Sequence, residues 1–288
     1  MGHLNAMRDL THRLQAGSLR AILTGLSVFP LSTRRAAIGR LAEALVAHTS
    51  LGERPLRNLE LVFPDMPARD RRALARRAAR ESGRTLAGIW MSDDLAAEVA
   101  DVPLEGEGLE VLRAAHESGR GAILVSGHYG QFDAVRHGLR REGIEVGALY
   151  RPSNNVHYDP LFREGLALAG EPIVAKGPQG MREMLRHIRK GGFMAMLVDQ
   201  YQKGAPKIDF LGHPARTTLS AAELALRYDM PLVPCFAPWG DGERRIVVEA
   251  PIPPSDPNAM MAEFNARLGS WVRRHPSQWY WLHRRWKR

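Results

Sequence analysis

From residue 121 onward the chain alternates short apolar runs with stretches of helical period, and this rhythm restricts the folds open to it. GAILVSG (121–127) is apolar and closed by Gly at both ends, as a strand buried on both faces would be. FMAMLVD (193–199) has the same character. Between them lie a helical stretch over about 131–141, a strand pattern EVGALYR (145–151) and a helix over HYDPLFREGLALAG (157–170). A brief strand PIVAK (172–176) and a helix over GMREMLRHIRKG (180–191) follow. Beyond them, LSAAELALRY (219–228) reads as a helix, PLVPCFAPW (231–239) and RRIVVEAP (244–251) as paired strands, and 257–274 as a final helix. Such alternation predicts an α/β fold: a central, mostly parallel or mixed sheet flanked by helices.

Before residue 118 helix patterns dominate, broken at Pro30, Pro64 and Pro103. The best candidate for a membrane span, AILTGLSVFPL (21–31), has about eleven residues, against the roughly 20 that cross a bilayer. No small-residue cleavage site follows it, and an amphipathic pattern continues through RRAAIGRLAEALVAH (34–48). Residues 8–48 therefore read as two helices that lie on a membrane or a partner, with a packed helical hairpin as the alternative. The expected organisation is an N-terminal membrane-associating segment over 1–50 and a single α/β domain over 51–288.

Forty Lys and Arg against 31 Asp and Glu leave a formal charge of +9, which favours an acidic protein, an anionic lipid surface or nucleic acid as partner. The closing run HRRWKR (283–288) mixes cations with Trp, a composition suited to a membrane interface and equally to single-stranded nucleic acid. The single cysteine, Cys235, excludes an intramolecular disulfide and a multi-cysteine metal site. It falls in an apolar strand pattern, where a thiol is inert. No H-E-x-x-H or comparable ligand spacing occurs, which argues against a metal-dependent hydrolase, so neither a metal nor a cofactor is expected.

In sheets of this kind functional groups gather beyond the carboxyl ends of the strands. The first such loop is SGHYGQFD (126–133), with His128 in a Gly-rich turn and Asp133 just inside the next helix. Residues five apart on one helix sit about 140° apart and do not meet. A His in the turn before the helix can fold back over its first turn, and a His128–Asp133 pair would then serve as a general base. An isolated H-x4-D can equally be a His that caps a turn. YRPSNN (150–155) and VDQ (198–200) bring Arg151, two Asn and Asp199 to the ends of two further strands. Polar groups at three neighbouring strand ends converge on one site more readily than on a structural task, although Asp199 could also cap a helix or pair with Arg151.

Six segments, RNLELVFPDMP (57–67), GHYGQFD (127–133), YRPSNN (150–155), LVDQ (197–200), FLGHPARTT (210–218) and QWYWLHRRWK (278–287), occur in one order across most of the chain. In that order the chain resembles the bacterial lipid A biosynthesis (lauroyl/myristoyl) acyltransferases of the lysophospholipid acyltransferase superfamily. The resemblance implies that His128 is the general base and Asp133 its orienting carboxylate. It places Arg151, Asp199, Gly130, Gln131, Asn154 and Arg216 among the substrate-binding positions. It implies direct attack of a lipid hydroxyl on an acyl thioester, carried by acyl carrier protein or by CoA, with an anionic lipid acceptor such as a lipid A precursor. A peripheral or N-terminally anchored place on the bacterial inner membrane, with the site facing the cytoplasm, follows from the same likeness, and nucleic acid drops out as a partner. Another lipid acceptor (an ornithine lipid, lysophospholipid or glycolipid), a thioesterase using the same dyad, and a non-enzymatic basic membrane-binding protein are the competing readings.

Overall fold

Apolar alternation in the central strands sorts side chains onto two faces, and a computed structural model, describing residues 2–240 and 242–287, shows what covers each. Five helices open the chain: α1 (Gly2–Leu26), α2 (Leu31–His48), α3 (Glu53–Val62), α4 (Ala68–Trp90) and α5 (Ser92–Val99). The sheet region then runs β1 (Leu104–Glu105), α6 (Gly108–Glu117), β2 (Ile123–Ser126), α7 (Ala134–Arg141), β3 (Val146–Tyr150), α8 (Asp159–Ala167), β4 (Ile173–Ala175), α9 (Pro178–Arg189) and β5 (Phe193–Leu197). A hairpin of β6 (Lys207–Phe210) and β7 (His213–Arg216) interrupts the alternation. It is followed by α10 (Ser220–Arg227), β8 (Leu232–Phe236), the short pair β9 (Trp239–Gly240) and β10 (Glu243–Arg244), β11 (Ile246–Val248) and α11 (Pro257–Arg274).

The seven-stranded sheet has the order β1-β11-β8-β2-β5-β3-β4. Every pairing is parallel except β11 with β8. Ile123 and Val125 of β2 face a core built with α4, α9, α10 and α11, whereas Leu124 faces α5, α6 and α7. The expected α/β layering is therefore present, and the sheet positions three strand ends, those of β2, β5 and β3, side by side.

No described helix is long and apolar enough to cross a membrane. Of the two N-terminal helices, α2 packs closely along α4, because Gly39 and Gly83 leave out side chains where the helices cross. A Cβ on Gly83 would lie 2.8 Å from that of Ala42. Buried Arg35 fixes the same helix by pairing with Glu98 and by donating to Gln131 Oε1 at 2.9 Å. α1 behaves differently: it leaves Leu10, Leu14 and Ile22 exposed and touches the loop after β3 through polar bonds, Asn155 to the His12 carbonyl and His157 to Asp9.

The C-terminal run departs from its reading as a membrane-interface segment. Trp279, Trp281 and Arg285 are completely buried, and Trp279 and Trp286 pack on Phe210 with ring centroids 5.3 and 5.9 Å apart. The indoles interdigitate with one another and with the β6–β7 hairpin, so the aromatic content of this run serves the core. Arg284 and Lys287 remain at the surface, and Arg288 lies outside the described residues.

Candidate active site

Immediately after β2 the chain turns through Gly127-His128-Tyr129-Gly130, and this turn is held on three sides. The Gly130 amide donates to the Gln278 carbonyl and the Gln131 amide to the Ala237 carbonyl, each at 2.9 Å. Gly130 takes φ +56°, and a Cβ there would come within 2.0 Å of the Ala237 oxygen, so only glycine suits the position. The Tyr280 amide donates to the His128 carbonyl at 3.0 Å. His128 is thus presented on a rigid turn, with its ring between those of Phe132 and Tyr280 and partly open to solvent.

The carboxylate that meets His128 is Asp199, just beyond β5, and not Asp133. His128 Nδ1 lies 2.7 Å from Asp199 Oδ1, while Oδ2 accepts the His128 backbone N–H and the Trp279 indole N–H, each at 2.9 Å. Burial alone would raise the Asp199 carboxyl. The imidazole and the two N–H donors outweigh it and hold the group down at about 2. A carboxylate so placed fixes Nδ1 as the protonated nitrogen of the neutral ring and leaves Nε2 free to accept a proton.

Asp133 has another task. It stands at the N-terminus of α7, buried, with Oδ1 3.0 Å from Arg136 Nη1. That guanidinium also donates to the carbonyls of Val146, Leu166 and Gly170, which clamps α7 to the start of β3 and the end of α8. The nearest His to Asp133 is the buried His137, 4.0 Å away, with its Nε2 3.0 Å from Ser92 Oγ. The turn lifts His128 away from α7 and toward β5, the adjacent parallel strand, so strand order selected the partner that sequence spacing had assigned to the helix.

The remaining expected residues separate in the same way. Arg151 follows β3, is exposed, and makes no ion pair among the described residues, and Asn154 in the same loop is exposed too. Gln131 is fully buried and accepts from Arg35, and Gly130 belongs to the turn, so both help to build the frame around His128. Arg216 lies in β7, bonded at 2.7 Å to the Ala205 carbonyl. Cys235 is buried in β8, where burial pushes its thiol well up.

Sequence reasoning missed a group of residues around the pair. Gln200 places its side-chain amide 3.3 Å from His128 Nε2. The Tyr201 amide donates to His283 Nε2 at 2.7 Å, and burial lowers His283 to about 4, which keeps that ring neutral. Arg285 donates to Thr217 Oγ1 at 2.7 Å and to the Arg216 carbonyl at 2.6 Å. Gln278, Trp279, Tyr280, His283 and Arg285 all come from the QWYWLHRRWK segment, so the C-terminal run forms one wall of the site. The available signal was the resemblance this segment carries; of it, only the closing HRRWKR was read above as a surface pattern.

Among the described residues no group of three or more His, Cys, Asp or Glu is arranged to hold a metal ion. A groove of about 380 Å³ between Arg120, Asp229, Leu232 and Pro251 opens at the amino ends of β2 and β8, opposite to His128. The arrangement at His128 is that of a general base with an oriented imidazole, able to deprotonate a hydroxyl brought to Nε2.

Comparison with known proteins gives this geometry a context. A family model described as bacterial lipid A biosynthesis acyltransferase matches residues 11–288. A lipid A biosynthesis acyltransferase of Haemophilus influenzae is 28% identical over 263 residues, covering 84% of this chain and 81% of the relative. A lipid A biosynthesis lauroyltransferase of Escherichia coli is 26% identical over 246 residues, covering 80% and 77%. An E. coli lipid A biosynthesis palmitoleoyltransferase is 26% identical over 244 residues, with the same coverage.

Proposed function

Because the chain belongs to the bacterial lipid A biosynthesis acyltransferase family and is an acyltransferase, we propose that it moves a fatty acyl chain from an acyl thioester to a hydroxyl of a lipid A precursor. His128 is the general base and Asp199 its orienting carboxylate. The observation that carries this reading is the divided use of the imidazole, with Nδ1 on a buried carboxylate and Nε2 beside only the Gln200 carboxamide on a ring left partly exposed.

In the reaction His128 Nε2 takes the proton of the acceptor hydroxyl as its oxygen attacks the thioester carbon. The C–O bond forms, the C–S bond breaks, and the proton passes from the imidazolium to the departing thiolate. Asp199 stabilises the imidazolium between those events. A base of this kind contributes on the order of 10²–10⁴ in rate. No covalent acyl-enzyme is needed, and buried Cys235 is not used.

Acyl carrier protein is the donor that best suits the chain, since an acidic carrier is steered toward a protein of net charge +9. Exposed and without an ion pair among the described residues, Arg151, with Asn154 beside it, is the group for the anionic head of the acceptor. Docking is peripheral, on the cytoplasmic face of the inner membrane. The support for it is the apolar row Leu10, Leu14 and Ile22 and the α1–α2 turn, where Val28 is 80% and Phe29 49% exposed. Mass spectrometry of lipids from cells with and without the protein tests the reading. One acyl chain gained on a lipid A precursor, and lost with His128→Ala, is the expected result. Unchanged lipids in cells containing folded protein would overturn it.

A further inference from the structure

Asp199 and Gln200 are consecutive, yet they address opposite nitrogens of the same ring. Asp199 takes Nδ1, and the Gln200 carboxamide lies 3.3 Å from Nε2. With the Nδ1 proton given to the carboxylate, Nε2 of the neutral imidazole is an acceptor only, so the carboxamide must turn its NH₂ group toward it. This is the nitrogen that has to receive the acceptor's proton, and in the free protein an amide N–H stands where the attacking hydroxyl must come.

The backbone around Gln200 is pinned. Its carbonyl accepts from buried Arg285 at 3.4 Å, and the next amide, that of Tyr201, donates to His283 at 2.7 Å. The side chain has no polar partner other than His128 among the described residues, and it is only partly buried. A fixed backbone with a side chain free to swing is what a group needs to give up one hydrogen bond and make another. A carboxamide also stays uncharged at any working pH, so it neither competes for the proton nor traps the imidazolium.

We propose that Gln200 is a catalytic residue of the acyl transfer, capping His128 Nε2 in the free protein and donating its side-chain N–H to the thioester oxygen as charge develops there. This rests on the acyl-transfer reading above. The hydroxyl displaces the amide from Nε2. Its oxygen and the developing oxyanion are then bonded to one carbon, so a donor displaced from beside the first lies within reach of the second. When the intermediate collapses, the C=O bond is restored, the C–S bond breaks, and the amide returns to Nε2 after His128 has protonated the thiolate.

Two variants of the full chain test the assignment with purified acyl carrier thioester and a detergent-solubilised lipid A precursor. Gln200→Met keeps the length and removes the donors, and kcat is expected to fall roughly 10²–10³-fold, the loss typical of one oxyanion donor. The KM values should stay within about threefold, since the interaction is made in the transition state. Gln200→Glu keeps the shape and places a carboxylate beside Nε2, which should hold the imidazolium and move the acid limb of the pH–rate profile to higher pH. A kcat within about threefold of wild type in both variants, while His128→Ala is inactive, overturns this inference alone. So does a loss of rate that follows the melting temperature with an unmoved pH profile. A wild-type protein that folds but transfers no acyl chain overturns the acyl-transfer reading and this inference with it.

Discussion

Asp199 holds His128 by two bonds at once, accepting the backbone N–H on Oδ2 at 2.9 Å and meeting the ring Nδ1 with Oδ1 at 2.7 Å. One carboxylate thereby fixes both the position of the residue and the tautomer of its ring. Asp133 sits in the same loop as His128 and binds Arg136 instead. The two acids should fail differently when changed.

Asp199→Asn keeps the volume and removes the charge, so the imidazolium loses its counter-ion. A drop in kcat of about 10²–10⁴ is expected, with the acid limb of the pH–rate profile moving to lower pH. Asp133→Ala leaves Arg136 as an unpaired buried cation, at a cost of about 3–5 kcal/mol in urea unfolding. Its kcat falls as the His128 turn loosens, but its acid limb stays where it was. An unmoved limb in Asp199→Asn and a moved one in Asp133→Ala would reverse the assignment.

Protonation of His283 couples the C-terminal wall to pH. Burial depresses it to about 4 from the usual 6.5, so the unfolded chain takes up this proton first as pH falls. The stabilisation is complete above pH 6.5 and is lost progressively down to about 4, by on the order of 1–3 kcal/mol. Asp199, held near 2 rather than 3.8, adds a further loss only below about pH 4. His283→Gln can still accept from Tyr201 and does not titrate, so its melting temperature should fall less steeply between pH 6.5 and 4. Parallel curves for the two proteins contradict the assignment.

Trp279 and Trp281 are both fully buried, and each indole makes one hydrogen bond, to the Asp199 carboxylate and to the Pro276 carbonyl respectively. Bonds to a charged acceptor contribute about 1.5–3 kcal/mol and neutral ones about 0.5–1.5. Trp279→Phe should therefore destabilise the protein more than Trp281→Phe, and it alone should lower kcat. Equal effects on kcat would show that the wall acts through packing only.

Much of this was legible in the sequence, because strands buried on both faces declare themselves as apolar runs. β2, β5 and the helix α11 lie where the pattern put them, and so do the paired β8 and β11. His128, Arg151 and Asp199 were traceable to strand ends for the same reason. The partner of His128 was not, since spacing along the chain favours Asp133, and only the strand order β2-β5-β3 brings Asp199 nearer. The tail misled because a mixture of Trp and Arg looks the same in a core as at a membrane surface. What decides between them is the β6–β7 hairpin packed over it, an element whose FLGHPARTT segment carries no clear strand period.

With the Trp residues of the tail packed inside, the proposed membrane contact falls on the α1–α2 turn, where Val28 and Phe29 are exposed. Val28→Asp with Phe29→Asp should reduce co-sedimentation with anionic vesicles severalfold, by loss of buried apolar area. Turnover on detergent-solubilised acceptor should not change, since both residues lie in the turn between α1 and α2 and neither bonds to His128 or Asp199. Full vesicle binding by the double variant would place the contact elsewhere.

The central claim, acyl transfer to a lipid hydroxyl driven by His128 and Asp199, is met most directly by reconstitution. Purified protein, an acyl carrier thioester and a lipid A precursor are combined, and the rate of the product one acyl chain heavier is followed by mass spectrometry. Wild type should form it, Asp199→Asn should do so about 10²–10⁴-fold more slowly, and His128→Ala should not rise above background. Undiminished product formation by His128→Ala would contradict the account.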